Sequence, residues 1–503
     1  MAIIVIAAIS AGVTYLIVKP APKAGVLQAT NLTTPTVNAG ENAIITVDVK
    51  NTGESENTWS LDLKVEGVVA ATQTVTLNAG ETKTIQFVVP RVMVKSTVEV
   101  AGLTGTVNVI PVFKIAVVSD IGGRGDLSFN DMGFKGGEEA ERDFGVEMKE
   151  LISKSEADYT ANLRTAAQDP DVRLIVGVGY LLSSALASVA GEFPDKNFVG
   201  IDTYASALSL HPNMMDIVYE EHKGSAVVGA LGGLLAAYYN KPYIGVVLGI
   251  EIAVLWKFEI GYKWGCDWAM SWIENNKPDM KQGIYNTARN KRVLWTYTGT
   301  FDDVTQGYLA SAPMYVKGAV AVYNVAGPLG RGINSAVKDI ALRDDLTMGP
   351  PFWIGVDADQ DWINPGFCIA SMMKRVDRGV YQATKLVLEN EFRQAVTQYG
   401  GWLTLGIGTS VMGEPVEGIS VSTLADLDEF IAMGQRAEQT TGEPILPGSP
   451  TWIKTTAKAL RDNQPAWIWS AVAELENKIA SGEVVVPLAD TQGAVDNWRA
   501  ILG

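Results

Sequence analysis

Two hydrophobic periodicities divide the chain. From Leu27 to Ile110 apolar and polar residues alternate: Ile45, Val47 and Val49 against Thr46, Asp48 and Lys50, then Trp59, Leu61, Leu63 and Val65 against Ser60, Asp62 and Lys64. Ile85, Phe87 and Val89 form a third set. A period of two belongs to a strand with one face in a core. Turn signals at Asn38-Ala39-Gly40, Asn51-Thr52-Gly53 and Asn78-Ala79-Gly80 separate the sets, which predicts a β-sandwich over 27–111. From Phe113 the pattern becomes short continuous apolar runs, each followed by a helical segment. Runs at 113–118, 174–179, 197–201, 216–219, 244–248, 319–323, 352–356 and 369–374 read as strands covered on both faces. Helices are predicted over about 131–144, 156–168, 181–193, 225–239 and 379–391. Repeated βα units require parallel sheets flanked by helices, and there are too many for one small sheet. Two Rossmann-like lobes with a cleft between them fit the pattern. After 423 the texture is helical, at 423–439, 453–463 and 467–480, broken by Gly442-Glu443-Pro444 and Pro447-Gly448-Ser449-Pro450.

The segment Phe113–Asn130, FKIAVVSDIGGRGDLSFN, organises the second region. Its strand ends at Ser119-Asp120 and passes through a Gly-rich loop into a helix. Ligands of open α/β sheets bind beyond the carboxyl ends of the strands, where such loops lie. Asp126 or Ser128 can cap the helix. That leaves an aromatic, an amide and a carboxylate (Phe129, Asn130 and Asp126) for the cleft. The spacing suits equally a plain strand-loop-helix corner with Phe129 in the core.

A chain of 503 residues implies two to four domains, and 47% hydrophobic with 19% charged residues makes it globular. A net charge of −16 argues against nucleic acid as a partner, because that affinity comes from neutralising phosphates. The histidines are His211 and His222 alone, little material for a His-based hydrolase or a multi-His metal site. No metal, no cofactor and no enzymatic reaction are therefore expected, since Ser, His and Asp form no nucleophile–base set. Cys266 and Cys368 show no metal-type spacing. They suit one disulfide in an exported protein or two buried thiols. Ala2 to Val18 is apolar and ends at Lys19-Pro20. As a helix this stretch spans about 25 Å, against a bilayer core of about 30 Å. Signal peptide, membrane anchor and pilin-like assembly helix are the readings. With no Lys or Arg ahead of the stretch, an anchor over 1–18 followed by a linker at 19–26 is expected. Asn31-Leu32-Thr33 is a glycosylation sequon, consistent with a surface location.

Two resemblances extend this reading. LNAGETKTIQFVVP (77–90) with TVEVAGLTGTVNV (97–109) resembles the CARDB family of immunoglobulin-like cell-surface domains, which implies a spacer. The region from Phe113 to Pro487 resembles the basic membrane protein (BMP) family, including the purine nucleoside receptor A lipoproteins, with helical material inserted near 424–470. The resemblance is carried by Gly125-Asp126-Leu127-Ser128-Phe129-Asn130, Val176-Gly177-Val178-Gly179-Tyr180, Phe193-Pro194-Asp195-Lys196-Asn197-Phe198 before Asp202, and Glu221-His222-Lys223-Gly224-Ser225. It continues through Ile244-Gly245, Phe258-Glu259-Ile260-Gly261-Tyr262, Gly299-Thr300-Phe301-Asp302-Asp303, Gly355-Val356-Asp357-Ala358-Asp359-Gln360 and Lys374-Arg375-Val376-Asp377. It ends in Ser481-Gly482-Glu483-Val484-Val485-Val486-Pro487.

The resemblance implies a type I periplasmic-binding-protein fold whose lobes close on a ligand about a hinge. It implies that Phe129 stacks on a nucleobase while Asp126 and Asn130 approach its polar edge. Phe258 then closes the other face, with Trp256 and Tyr180 as alternative stacking partners, and Asp357 and Lys374 hold the ribose hydroxyls. A purine, with two flat faces and a donor/acceptor rim, suits an aromatic sandwich with a few polar groups. The alternative for Asp357 with Lys374 is a plain ion pair at strand ends. Ala326-Gly327-Pro328-Leu329-Gly330-Arg331-Gly332 departs from the family's Gly-rich loop. Arg331 either faces the cleft, favouring an anion or a carbonyl on the ligand, or is solvated at a helix start.

The expected organisation is an anchor, a sandwich over 27–111 and a two-lobed domain over 112–503. Lobe 1 takes 112–220 and 368–408, and lobe 2 takes 221–367 and the helical tail. The expected function is extracellular capture of a nucleoside, with a purine expected, for delivery to an ABC permease at the cell surface. The alternative is a surface or filament subunit that self-assembles through its first helix.

Overall fold

The computed structural model describes residues 23–503. The expected anchor over 1–18 and the first half of the linker at 19–26 lie outside the described residues. Contacts gather the described residues into two compact units, one holding the residues up to Phe113 with Glu141–Glu147, the other Lys114–Ala140 with Met148–Gly503.

In the first unit eight strands follow the alternating pattern: β1 (Leu27–Thr33), β2 (Thr36–Asn38), β3 (Glu41–Asn51), β4 (Asn57–Val65), β5 (Val68–Leu77), β6 (Thr82–Val92), β7 (Ser96–Val100) and β8 (Leu103–Ile110). They pair as two sheets, β1-β3-β6 and β2-β8-β7-β4-β5. Ala43, Ile45, Val47 and Val49 of one sheet share a buried core with Leu61, Leu63, Val75 and Leu77 of the other. From Ala43 to Asn51 the odd-numbered residues of β3 point inward, as a period of two dictates.

From Lys114 the chain forms β9 (Lys114–Ser119), α1 (Phe129–Phe144), β10 (Glu147–Leu151), α2 (Asp158–Gln168), β11 (Val172–Val178), α3 (Ser183–Glu192), β12 (Asn197–Ile201), α4 (Ala205–Leu208) and β13 (Met214–Tyr219). A second series follows: α5 (Glu221–Tyr238), β14 (Tyr243–Leu248), α6 (Ala253–Asn276), β15 (Val293–Tyr297), α7 (Val304–Val316), β16 (Ala319–Val325), α8 (Gly330–Arg343), β17 (Phe352–Asp357) and β18 (Cys368–Lys374). The chain continues with α9 (Val376–Leu388), α10 (Phe392–Gln398), β19 (Trp402–Leu405), the short pair β20 (Ser410–Val411) and β21 (Glu414–Pro415), and β22 (Ile419–Val421). The helical tail is α11 (Leu427–Thr441), α12 (Pro450–Asp462), α13 (Ala466–Ala480) and α14 (Gln492–Leu502).

Two six-stranded sheets result, ordered β10-β9-β11-β12-β13-β19 and β15-β14-β16-β17-β18-β22. The four strands that carried no clear sequence signal, β10, β15, β19 and β22, are the four sheet edges. Edge strands are short and partly polar because one flank is unpaired, and Glu147-Met148-Lys149-Glu150-Leu151 is an instance. The lobe boundary differs from expectation at one place. Cys368–Lys374 pairs with β17, so this strand belongs to the second sheet. Return to the first lobe comes after it, because Arg375 N donates to Gly418 O at 2.9 Å beside the next crossing. The three crossings are tied together: Glu220 N donates to Leu405 O at 2.9 Å, and Gly418 N to Gly406 O at 2.8 Å. This bonded triple strand joins the lobes.

In the second lobe α5 and α6 cross with their backbones in contact. A side-chain carbon on Gly265 would lie 1.9 Å from the Ala226 carbonyl oxygen, and one on Gly261 would lie 2.3 Å from that of His222. Only glycine admits this approach. The same α6 carries Phe258, so the crossing fixes where that ring stands. Cys266 of α6 and Cys368 of β18 are buried free thiols, and no disulfide joins them. Gly265→Ala is expected to force α5 and α6 apart and to cost about 1–3 kcal/mol. A urea-denaturation midpoint unchanged from the parent protein would contradict this.

Candidate functional site

The loop after β9 is held by carboxylates. Asp126 caps α1, its Oδ1 accepting from Ser128 N (2.9 Å) and Asp131 N (3.1 Å), and its Oδ2 from Asn130 N (2.9 Å) and Asn130 Nδ2 (3.1 Å). Asp131 turns back to accept from Gly125 N (3.0 Å) and Leu127 N (2.8 Å). Asp126 rather than Ser128 is therefore the cap, and its oxygens are occupied by the protein. Burial raises both carboxyls, Asp126 to about 6 and Asp131, which also faces Asp126, to about 7.

This cap points Phe129 into a cleft between the lobes that holds about 710 Å³ of space free of protein atoms, its open mouth included. Asp126, Phe129, Asn130, Tyr180, Phe258, Asp357 and Lys374, all singled out from sequence, line that one cleft. Phe129 comes from the first lobe and Phe258 from the second. Each ring centroid lies 5.5 Å from the Lys374 ammonium, and that of Tyr219 lies at 5.1 Å. Tyr180 packs against Tyr204 with centroids 4.8 Å apart. Trp256 is elsewhere: it packs on Ile260, Ala489 and Val495 and donates to Glu251. Arg331 is exposed on the first turn of α8, which settles it as a solvated helix-start residue, whereas Pro328 lines the cleft.

Lys374 is the buried cation of the cleft. Its Nζ meets Asp202 across the lobes and Glu221 at 2.7 Å, so these two carboxylates, and not Asp357, are its ion-pair partners. Burial alone would lower Lys374, but Asp202, Glu221 and Asp357 outweigh it and hold the ammonium above its ordinary value. Burial would likewise raise Glu221, yet Lys257 and Lys374 together hold it below the usual range. Asp202 goes the other way: burial outweighs Lys374 and raises it. Asp357 receives a hydrogen bond from Ser128 Oγ at 2.8 Å, and Gln360 Nε2 donates to Leu127 O at 3.0 Å. Both bonds cross between lobes.

Sequence reading missed Asp120, Asp202 and Phe301 as lining residues. A signal for the carboxylates was present. Asp120 and Asp202 directly follow the ends of β9 and β12, and Asp357 ends β17. Asp202 and Asp357 take left-handed backbone, φ 59° and 64°. Aspartate tolerates that region better than most residues, and strain of this kind clusters at binding sites. Phe301 stood in the Gly299–Asp303 motif, but no spacing aimed it at the cleft, which it reaches on the loop before α7.

A pair of mainly parallel-sheet lobes, with β22 antiparallel at one edge, joined by three strands around an aromatic and acidic cleft is the architecture of a type I solute-binding protein. The chain belongs to the Bmp family, described as ABC transporter substrate-binding protein PnrA-like, whose model matches residues 113–432. That match leaves the sandwich outside it. An uncharacterized lipoprotein of Pyrococcus abyssi is 33% identical over 373 residues, 74% of this chain and 83% of that protein. The ABC transporter nucleoside-binding protein BmpA of Lactococcus lactis is 31% identical over 255 residues, 50% of this chain and 65% of that protein. A solved ABC transporter solute-binding protein of Aeropyrum pernix is 30% identical with a TM-score of 0.62, covering 76% of this chain and 96% of that one. The protein is accordingly a solute-binding component of an ABC transport system.

Asp357 provides a direct check on the site's electrostatics. Burial raises it to about 6, against the pull of Lys374 and the Ser128 hydrogen bond. Because the folded value lies above the ordinary carboxylate value, its contribution to stability falls as pH rises from about 4 to about 6. Lys374→Met removes the lowering cation, so the Asp357 midpoint is expected to move above about 6 in isotope-edited infrared titration. A midpoint that stays in place or falls would separate Asp357 from Lys374.

Proposed function

We propose that this protein captures a purine nucleoside at the outer face of the cell membrane and delivers it to an ABC permease. The observation that carries the reading is the placement of Phe129 and Phe258 on opposite lobes, both 5.5 Å from one buried ammonium. Two rings brought together by lobe closure suit a flat guest, whose faces they cover while its rim remains for polar groups. Asp357 and Asp202 are acceptors for vicinal sugar hydroxyls, and Asp202 Oδ1 is buried without a partner. Lys374, fixed between Asp202 and Glu221, donates to the same sugar. Asn130 reads the base directly, and Asp126 acts through the loop it caps. Tyr180 borders the guest with Tyr204 behind it.

Charge supports a neutral guest. Asp120, Asp126, Asp202 and Asp357 line the cleft against one lysine that is already engaged. A phosphate there would meet like charges in a poorly screened space. The name of the Lactococcus relative supports a nucleoside, and the lipoprotein name of the Pyrococcus relative supports a location outside the membrane. Closure is a hinge movement on the triple crossing, with Ser128–Asp357 and Gln360–Leu127 made as the lobes meet. The domain boundaries proposed are a sandwich over 27–111 and a binding domain from 112 onward.

Calorimetric titration with nucleosides tests the assignment. Phe129→Ala is expected to weaken purine nucleoside binding by about 1–3 kcal/mol through lost stacking, and unchanged affinity would remove this ring from the site. Asp357→Asn is expected to weaken nucleosides far more than the free bases. Equal losses for both would remove the carboxylate from the sugar.

A further inference from the structure

The wall of the cleft beside Phe129 presents hydrogen-bond acceptors. Asn130 Nδ2 donates to Asp120 Oδ1 at 2.8 Å and to Asp126 Oδ2 at 3.1 Å. Reversing the amide would turn its carbonyl oxygen toward two carboxylates, so the hydrogen bonds fix its orientation. Both amide hydrogens are then spent inside the protein. Asn130 Oδ1 is left buried with no partner, on a residue only 3% exposed. Asp120 Oδ1 takes a second donor, Gly122 N, at 3.1 Å. Its Oδ2 lies over Gly179, where a side-chain carbon would come within 2.4 Å of it. Asp120, Asn130 and Gly179 border the same cleft as Phe129. In the stacked pose proposed above, the edge of the ring meets this wall.

A buried acceptor with no donor is costly, whereas the right donor turns the cost into affinity. Resting on the purine nucleoside reading above, we infer that the cleft selects nucleosides whose base edge carries two adjacent N–H donors, and so prefers guanosine to inosine and adenosine. Guanine offers N1–H beside the N2 amine. Hypoxanthine keeps N1–H and the same O6 as guanine but has no amine at C2, so it brings one donor where guanine brings two. Adenine offers the N6 amine with the N1 lone pair next to it, which faces an acceptor. The specificity-determining group is the Asn130 carbonyl, held in place by Asp120 and Asp126.

Isothermal titration of the full chain with guanosine, inosine and adenosine tests this. Guanosine is expected to bind tighter than either of the others by on the order of 10–100-fold, the effect of one unmade bond to a buried group. Equal affinities, or a preference for inosine or adenosine, would overturn the inference and leave the purine nucleoside assignment intact. Folded protein that binds none of the three would overturn both. Asn130→Ala, with its melting temperature measured alongside, is expected to reduce the guanosine preference to within about threefold. Full preference in a folded Asn130→Ala protein would take the reading of the base away from this residue. The ligand series on the unaltered chain decides the question even where that variant does not fold.

Discussion

One buried ammonium organises the binding domain. Lys374 ends β18 in the second lobe, yet its partners include Asp202, which follows β12 in the first. An ion inside a protein must be compensated, and removing one partner of a buried pair leaves an uncompensated charge. The lobes therefore meet where Lys374 finds both Asp202 and Glu221. The rings of Phe129, Tyr219 and Phe258 surround the same group at 5.1–5.5 Å and shield it from water. Closure, cleft electrostatics and the aromatic walls thus share one centre.

Around it the fold acts as a positioning frame. The β9–α1 loop is ordered by Asp126 and Asp131, whose oxygens satisfy backbone donors at the start of α1. The opposite wall depends on the close crossing of α5 and α6, since Phe258 rides on α6. The tail adds a further tie. Arg499 of α14 donates to both oxygens of Glu259 on α6, at 2.9 and 2.7 Å, and Lys263 meets the same carboxylate at 2.6 Å. Within the same unit α11 touches both lobes: Glu429 lies 3.2 Å from Lys135 of α1, while Gly434 packs on Trp362 beyond β17. The inserted helices are thereby structural parts of the two-lobed domain.

Much of this was legible in the chain. The central strands announce themselves as apolar runs because helices cover both their faces. The sandwich strands alternate because each has one face in a core and one in solvent. The edge strands were illegible for the complementary reason: an unpaired flank tolerates charge and shortness, and the pattern weakens. The assignment of Cys368–Lys374 to a lobe was also beyond local pattern, since its buried residues suit either sheet and only its pairing with β17 decides.

The sequence by itself determined the class of fold, the loop that opens the cleft and seven of the residues that border it, because periodicity, caps and the ordered family motifs are local properties of the chain. Only the tertiary structure decided the partners. Lys374 pairs with Asp202 and Glu221, Arg331 lies in solvent, Trp256 belongs to the tail interface, and the Asn130 carbonyl is left without a donor. Each of these depends on atoms tens to hundreds of residues apart, or on how a neighbour's hydrogen bonds are spent. Distance in space and saturation of donors carry no signature in a stretch of sequence.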